Sequence, residues 1–231
     1  RPDLYFTIAS IQDFQRIDNG NMNFVYPANP LIVPQACLRF VDIESVGISG
    51  RHLTSFIMPG QHAFDWPKAG YFKDKCMELN FEFLTKILGI PEKELVYAEE
   101  LWTMPDFSAF GPSIETYSKG LELVNHVFMQ YQRTGQKYRE LPMKVNDTGW
   151  GHERLVWFSN GTSTMYDCIF GDILEKLKKE SGIRTDSEIF SKYSRLAGLF
   201  DAETRNAKKI REGIAKQLGV SVKELSENIE P

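Results

Sequence analysis

Between Leu121 and Tyr131 the chain alternates strictly, and it is apolar on both sides. Leu121, Leu123, Asn125, Val127, Met129 and Tyr131 share one face, while Glu122, Val124, His126, Phe128 and Gln130 share the other. A strand that is apolar on both faces needs cover on both. The pattern therefore predicts a central strand of a layered domain rather than an edge. Asn125 is the polar exception in its row, and a buried amide must find hydrogen-bonding partners or cost stability. Arg133-Thr134-Gly135-Gln136 then turns the chain back.

The returning stretch is Val145-Asn146-Asp147-Thr148-Gly149-Trp150-Gly151-His152-Glu153-Arg154-Leu155. An apolar run leads into Asp147, a Gly-x-Gly turn follows, and Arg154 stands at the start of a helix reaching Phe158. Glycine takes positive φ or lets backbone approach a ligand closely. An acid on one side of such a turn and an arginine on the other can hold a zwitterion beside a phosphate. The same pattern also fits a strand–turn–helix junction with a salt bridge.

The remaining elements set the fold class. Leu4-Tyr5-Phe6-Thr7-Ile8 has strand composition from residue 4, and Asp18-Asn19-Gly20-Asn21 reads as a turn. Pro27, Pro30 and Pro34 imply an extended connection. Strands are expected near 35–41 and 52–58, joined by a long loop from Asp42 to Gly50. Met77, Phe81, Leu84 and Leu88 recur at helical spacing from Asp74, and Gly89 supplies a C-terminal cap. A short strand is expected at 95–99 and a loop at 103–119. Beyond residue 168 three helical stripes follow: Ile169, Phe170, Ile173, Leu174 and Leu177; Ile189, Tyr193, Leu196 and Phe200; Ala207, Ile210, Ile214 and Leu218. Ser221-Val222-Lys223-Glu224 is a capping box opening a last helix. Together these predict an α+β domain followed by the start of an all-α domain.

Bulk chemistry excludes several classes. The 231 residues carry a net charge of −4, which argues against a non-specific nucleic-acid coat. Lys208, Lys209, Arg211 and Lys216 make only a modest basic face. Cys37, Cys76 and Cys168 are odd in number and far apart, as expected in a reducing, cytoplasmic compartment. They lack zinc-site spacing, and no apolar run is long enough to span a membrane. The chain starts at Arg1 rather than methionine, which reads as a fragment.

Two further groupings could carry chemistry. Arg39 and Arg51-His52 flank the long loop, and paired guanidinium groups suit a polyphosphate. They also fit surface ion pairs with Asp42 and Glu44. Asn125 and Val127 share a face, where an amide and a small apolar floor could hold an amino acid.

Taken together these elements resemble the class II aminoacyl-tRNA synthetases. Arg39 sits where that class has its motif 2 arginine, and Gly149-Trp150-Gly151-His152-Glu153-Arg154 fits its motif 3 pattern, G-x-G-x-x-R. Within the class the likeness is to the alanyl-tRNA synthetase family in its archaeal form. It is carried by Phe6-Thr7-Ile8-Ala9-Ser10-Ile11-Gln12-Asp13-Phe14, Gly50-Arg51-His52-Leu53-Thr54, Asn125 to Tyr131, Asp147-Thr148-Gly149 and Gly161 to Asp167. The resemblance implies an antiparallel sheet flanked by helices. It implies activation of alanine by ATP and transfer to tRNA(Ala), with Mg2+ as cofactor and no zinc in this stretch.

The same resemblance assigns roles. Arg39 would meet the α-phosphate and Arg154 the γ-phosphate, with Arg51 and His52 on the outer phosphates and Phe56 on adenine. Asn125, Val127, Asp147, Gly149 and Trp102 would form the amino-acid pocket, and Glu122 or Glu115 would ligate Mg2+. It implies an aminoacylation domain over 1–183 lacking its N-terminal part, and the beginning of a helical tRNA-recognition domain over 184–231. The family's editing domain carries His-x-x-x-His, a spacing absent among His52, His62, His126 and His152, so editing and C-terminal domains are expected outside this chain. The sequence departs from the family at Phe56-Ile57-Met58, where Phe-Glu-Met is usual, and in the segment from Thr103 to Pro112.

Overall fold

The structure is a computed structural model that describes residues 4–18, 21–47, 50–104, 107–184, 186–196 and 207–229. Asn19, Gly20, Ile48, Ser49, Pro105, Asp106 and Phe200, which enter the expectations above, lie outside the described residues. The described residues pack as two units. One is drawn from Arg1–Leu38 and Ser55–Leu155, the other from Arg39–Thr54 and Val156–Pro231.

The first unit is built on a six-stranded antiparallel sheet. Its strands are β3 (Leu31–Leu38), β4 (Ser55–Trp66), β5 (Leu95–Thr103), β6 (Phe110–Ser118), β7 (Leu121–Thr134) and β8 (Lys137–Trp150), ordered β3-β4-β8-β7-β6-β5. The central position expected for 121–131 is borne out, since β7 lies between β8 and β6. A small hairpin, β1 (Gln15–Asp18) and β2 (Asn21–Phe24), follows a short 3-10 turn at Ser10–Asp13.

Both faces of the sheet are covered, as the double apolar pattern of β7 requires. On one face Ile11, Phe14, Met22 and Phe24 pack with Phe64, Val127, Met129, Leu141 and Val145. On the other face lies helix α1 (Lys73–Glu82), which continues through a wider π turn at Phe83–Ile87 and ends at Leu88. Gly89 follows at φ 70°, the left-handed cap its position promised. Phe72 meets Phe128 edge-on at 5.5 Å, and Phe83 stacks on Trp150 at 5.1 Å.

Several expected boundaries are corrected. Leu4–Ile8 is not a strand. β-branched and aromatic residues favour a pleated surface, but a strand also needs a paired neighbour, and here Thr7 merely accepts from the Leu38 N–H at 2.9 Å. Residues 110–118, read as loop, form β6. Pro112 lacks a donor, and a register shift against β7 between Phe110 and Ser113 accommodates it. Pro34, read as part of the connection, lies inside β3, an edge strand where its missing N–H is tolerated. β4 runs on to Trp66 through Pro59 and Gly60, well past the expected end at 58.

The second unit is helical. Helix α2 (His152–Asn160) leads into it, followed by α3 (Met165–Ile169), α4 (Gly171–Ser181), α5 (Ser187–Leu196), α6 (Ala207–Leu218) and α7 (Val222–Ile229). Tyr193, Ile214, Ala215 and Leu225 form its core, with Ile189, Leu196, Ile210 and Leu218 against them, so the second and third stripes do face inward. The first stripe does not, because Ile169, Phe170, Ile173 and Leu177 are exposed. The Ser221 capping box is present, with Glu224 N–H donating to Ser221 Oγ and Ser221 N–H to Glu224 Oε2. A second capping box at Thr164 and Asp167 opens α3.

Candidate active site

Sheet register decides which side chains meet. Asn125 lies opposite Gly149 and Val127 opposite Asp147 across β7 and β8. Gly149 lies opposite Gly60, and Asp147 opposite His62, across β8 and β4. On the other side of β7, Glu115 faces Asn125 and Ser113 faces Val127. Residues two apart on a strand share a face. Asn125, Val127, Asp147, Gly149, Met58, Gly60, His62 and Glu115 therefore lie on one side of the sheet. It is the side whose far end is covered by the N-terminal aromatic cluster.

The expected Gly-x-Gly turn is corrected. Gly149 is still inside β8, and neither it nor Gly151 takes a positive φ. What Gly149 contributes is the missing side chain. A Cβ there would come within 2.9 Å of Met58 Sδ, so glycine lets the Met58 thioether lie directly over the strand. The helix after the stretch begins at His152, two residues before Arg154.

The polar groups on this face are unevenly satisfied. Asp147 is 7% exposed, with Oδ1 at 3.3 Å from His62 Nδ1. Asn125 donates from Nδ2 to Glu115 Oε1 at 3.3 Å, while its carbonyl oxygen is buried without a hydrogen-bond partner among the described residues. An acid and an unpartnered acceptor, two positions apart on the sheet, suit a cationic ligand group. Val127 is buried between them. Trp102 packs against the same apolar cluster as Val127.

Arg154 is held by Glu122, Nη1 to Oε2 at 2.7 Å, with a second contact from Nη1 to the Glu122 carbonyl at 3.3 Å. Glu115 accepts from Tyr117 as well as from Asn125. The Tyr117 hydroxyl is pushed well above the usual phenol range by that hydrogen bond to Glu115. Each carboxylate expected to bind Mg2+ is thus already engaged by donors. Among the described residues no three His, Cys, Asp or Glu side chains gather as a metal site. Glu115 and Glu122 do not fit a preformed cation site.

Phe56 and Met58 share the Asp147 side of β4, whereas alternation turns Ile57 to the opposite face with Gln61. The Ile57 N–H donates to Glu153 Oε1 at 2.7 Å, so an acidic group does reach this segment, from α2.

Arg39, Arg51 and His52 belong to the second unit. There the Arg39 N–H donates to the Thr54 carbonyl at 2.9 Å and Arg51 Nη2 to the Ser194 carbonyl at 3.3 Å. Tyr166 donates to the His52 carbonyl at 2.8 Å and accepts from the Gly47 N–H at 2.7 Å. The loop between the two arginines is therefore tied down by the tyrosine of Thr164-Met165-Tyr166-Asp167.

His62, Ser10 and Met58 were missed by sequence reasoning. Pro59-Gly60 reads as a break, which cut β4 short before His62. The signal was present as the alternation Phe56, Met58, Gly60, His62 and Phe64.

An alanine–tRNA ligase from Nitrosopumilus maritimus (strain SCM1) is 44% identical over 232 residues, covering 100% of this chain and 26% of the relative. One from Cenarchaeum symbiosum (strain A) is 47% identical over 198 residues, covering 85% of this chain and 22% of the relative. One from Pyrococcus furiosus (strain ATCC 43587) is 42% identical over 248 residues, covering 100% and 27%. The chain spans about a quarter of the length of these relatives. Among solved structures, a pyrrolysyl-tRNA synthetase from Desulfitobacterium hafniense overlaps 69% of this chain and 58% of its own, at TM-score 0.37 and 14% identity. The family model described as tRNA synthetases class II (A) matches residues 1–231, and the chain belongs to that family.

Proposed function

We propose that this chain is the catalytic core of an alanine–tRNA ligase. Its reaction would join alanine to AMP from ATP with release of pyrophosphate, and then pass alanine to tRNA(Ala). The observation that carries this reading is the row formed by Asp147, Val127, Asn125 and Gly149. There a buried carboxylate and an unpartnered amide oxygen flank a small apolar floor. Family membership and the name shared by the relatives support it.

The chemistry follows from these groups. Asp147 and Asn125 Oδ1 accept from the α-ammonium of alanine, which fixes the amino acid and leaves its carboxylate free to attack the α-phosphate of ATP. Val127 receives the methyl group and limits side-chain size. Glu122 holds Arg154 in one orientation until a phosphate competes for the guanidinium. By resemblance, Arg39 meets the α-phosphate, Arg154 the γ-phosphate, Arg51 and His52 the outer phosphates, and Phe56 the adenine. Catalysis of this kind comes from positioning and charge stabilisation rather than from a covalent enzyme intermediate. Residues 1–183 would carry the aminoacylation domain and 184–231 the start of tRNA recognition, with editing elsewhere in a longer protein.

A pocket of this type discriminates weakly. A missing methylene is worth only about 1–3 kcal/mol, and a hydroxyl is hard to reject. ATP–pyrophosphate exchange screened across the twenty amino acids tests the proposal. Alanine should give the highest kcat/KM, with glycine and serine as the only measurable competitors. A folded sample that exchanges with none, or best with another amino acid, would sink the proposal.

A further inference from the structure

His62 and Ser10 are both fully buried; Ser10 lies in the Phe6–Phe14 stretch quoted above, whereas His62 lies in none of those stretches. The imidazole stands between two polar partners. Nε2 lies 3.0 Å from Ser10 Oγ, and Nδ1 lies 3.3 Å from Asp147 Oδ1. Phe14 meets the ring edge-on at 5.3 Å and Phe64 lies at 6.1 Å, so aromatic walls fix its plane. Gly60 is part of the same construction. A Cβ there would overlap both Ser10 Oγ and His62 Nε2, so only glycine lets the Ser10–Asp13 turn descend onto the ring.

The direction of the hydrogen bonds follows from the partners. A carboxylate can only accept, so the nitrogen facing Asp147 must carry a proton for the contact to be favourable. Nε2 of a neutral ring then has a lone pair and takes the Ser10 O–H. The opposite tautomer would aim a bare nitrogen at a carboxylate in a buried site. Among the described residues Nδ1 has no hydrogen-bond partner of good angle, which fits a contact that tightens once a ligand engages the other carboxylate oxygen.

We propose that His62, held in its Nδ1–H tautomer by Ser10, is a positioning residue that fixes the Asp147 carboxylate so that Oδ2 meets the ammonium of the bound amino acid. The identity of the ligand rests on the alanine-activation reading, but the direction of the relay does not.

Two variants and one spectrum test it. His62→Leu removes the donor, whereas His62→Asn keeps an amide near the place of Nδ1. In alanine-dependent ATP–pyrophosphate exchange, His62→Leu should raise the KM for alanine about tenfold, with the KM for ATP within about twofold of wild type. His62→Asn should recover the alanine KM to within about threefold. Equal loss in both variants, or an ATP KM rising with the alanine KM, would overturn the proposal. 15N NMR of the unaltered protein should find the proton on Nδ1 of His62, and a bare Nδ1 would equally overturn it. That spectrum needs no substrate. A wild type without alanine-dependent exchange would therefore remove the functional reading while the tautomer is still decided separately.

Discussion

Two fully buried histidines, His62 and His126, sit on opposite faces of the same sheet, and their surroundings differ in kind. His62 adjoins a carboxylate on the face whose apolar cover stops short of Asp147 and Asn125. His126 lies among neutral groups beneath α1, with Nε2 at 3.1 Å from Thr116 Oγ1 and Nδ1 at 3.4 Å and 3.7 Å from Thr148 Oγ1 and Cys76 Sγ. Around it Cys76 Sγ contacts Thr148 Oγ1 at 3.1 Å, and Asn80 links Gln61 and Trp150 at 2.7 Å each. On the helix side most neutral polar groups satisfy one another, the Asn146 carbonyl oxygen being the exception. Burial alone pulls the His126 pKa down to about 4, and burial, with a smaller push from the Asp147 charge and against hydrogen bonds from Thr148, Asn146 and Asn80, raises the Cys76 thiol to about 11, so both are uncharged at neutral pH. On the other side an acidic group and an unpaired acceptor remain. One strand, β7, contributes to both faces, so the division between stability and function follows from the pleat.

Acid is the strongest way to break this contrast. His126 has a folded pKa of about 4 against about 6.5 unfolded. The neutral ring's contribution is whole above about pH 6.5 and is lost as pH falls through that value toward 4. The full difference is about 3 kcal/mol. Thermal and denaturant unfolding at pH 7 and pH 4 should show it, and His126→Gln should flatten that component of the pH dependence. An unchanged slope in the variant would contradict the assignment.

Changes on the Asp147 face should act on ligand requirement instead. Asp147→Ala should cost about 2 kcal/mol of alanine affinity, roughly a thirtyfold rise in KM, with the ATP KM within about twofold. Equal effects on both substrates would erase the distinction drawn for that face. Val127→Ala should have the smallest effect. By deepening the floor it should favour 2-aminobutyrate over alanine by about tenfold in relative kcat/KM, in line with about 1–3 kcal/mol per methylene.

Much of this division was legible in the sequence. The double apolar row of β7 announced a central strand, and Asn125 sharing a face with Val127 placed two candidate pocket residues side by side. The helical spacing of α1 and the capping box of α7 were equally plain, because each depends on contacts a few residues apart. What could not be read depends on distant pairing. Leu4–Ile8 has the composition of a strand but no ladder to join, and β6 exists because β5 and β7 flank it despite Pro112. His62 escaped for the same reason, since Pro59-Gly60 looks like a terminator until Pro34 and Gly149 are seen opposite. Glu153 reaching the Ile57 N–H is likewise a contact between residues 96 positions apart, invisible to any local pattern.

The central claim is that the Asp147 face binds an aminoacyl-adenylate. Isothermal titration with a non-hydrolysable sulfamoyl analogue of alanyl-adenylate tests it most directly. Analogues of tightly held intermediates exceed their substrates in affinity by about a hundredfold or more. One-to-one binding with a Kd below about 1 μM is expected, weakened roughly thirtyfold in Asp147→Ala. No binding by the folded protein, or equal affinity in wild type and variant, would contradict it.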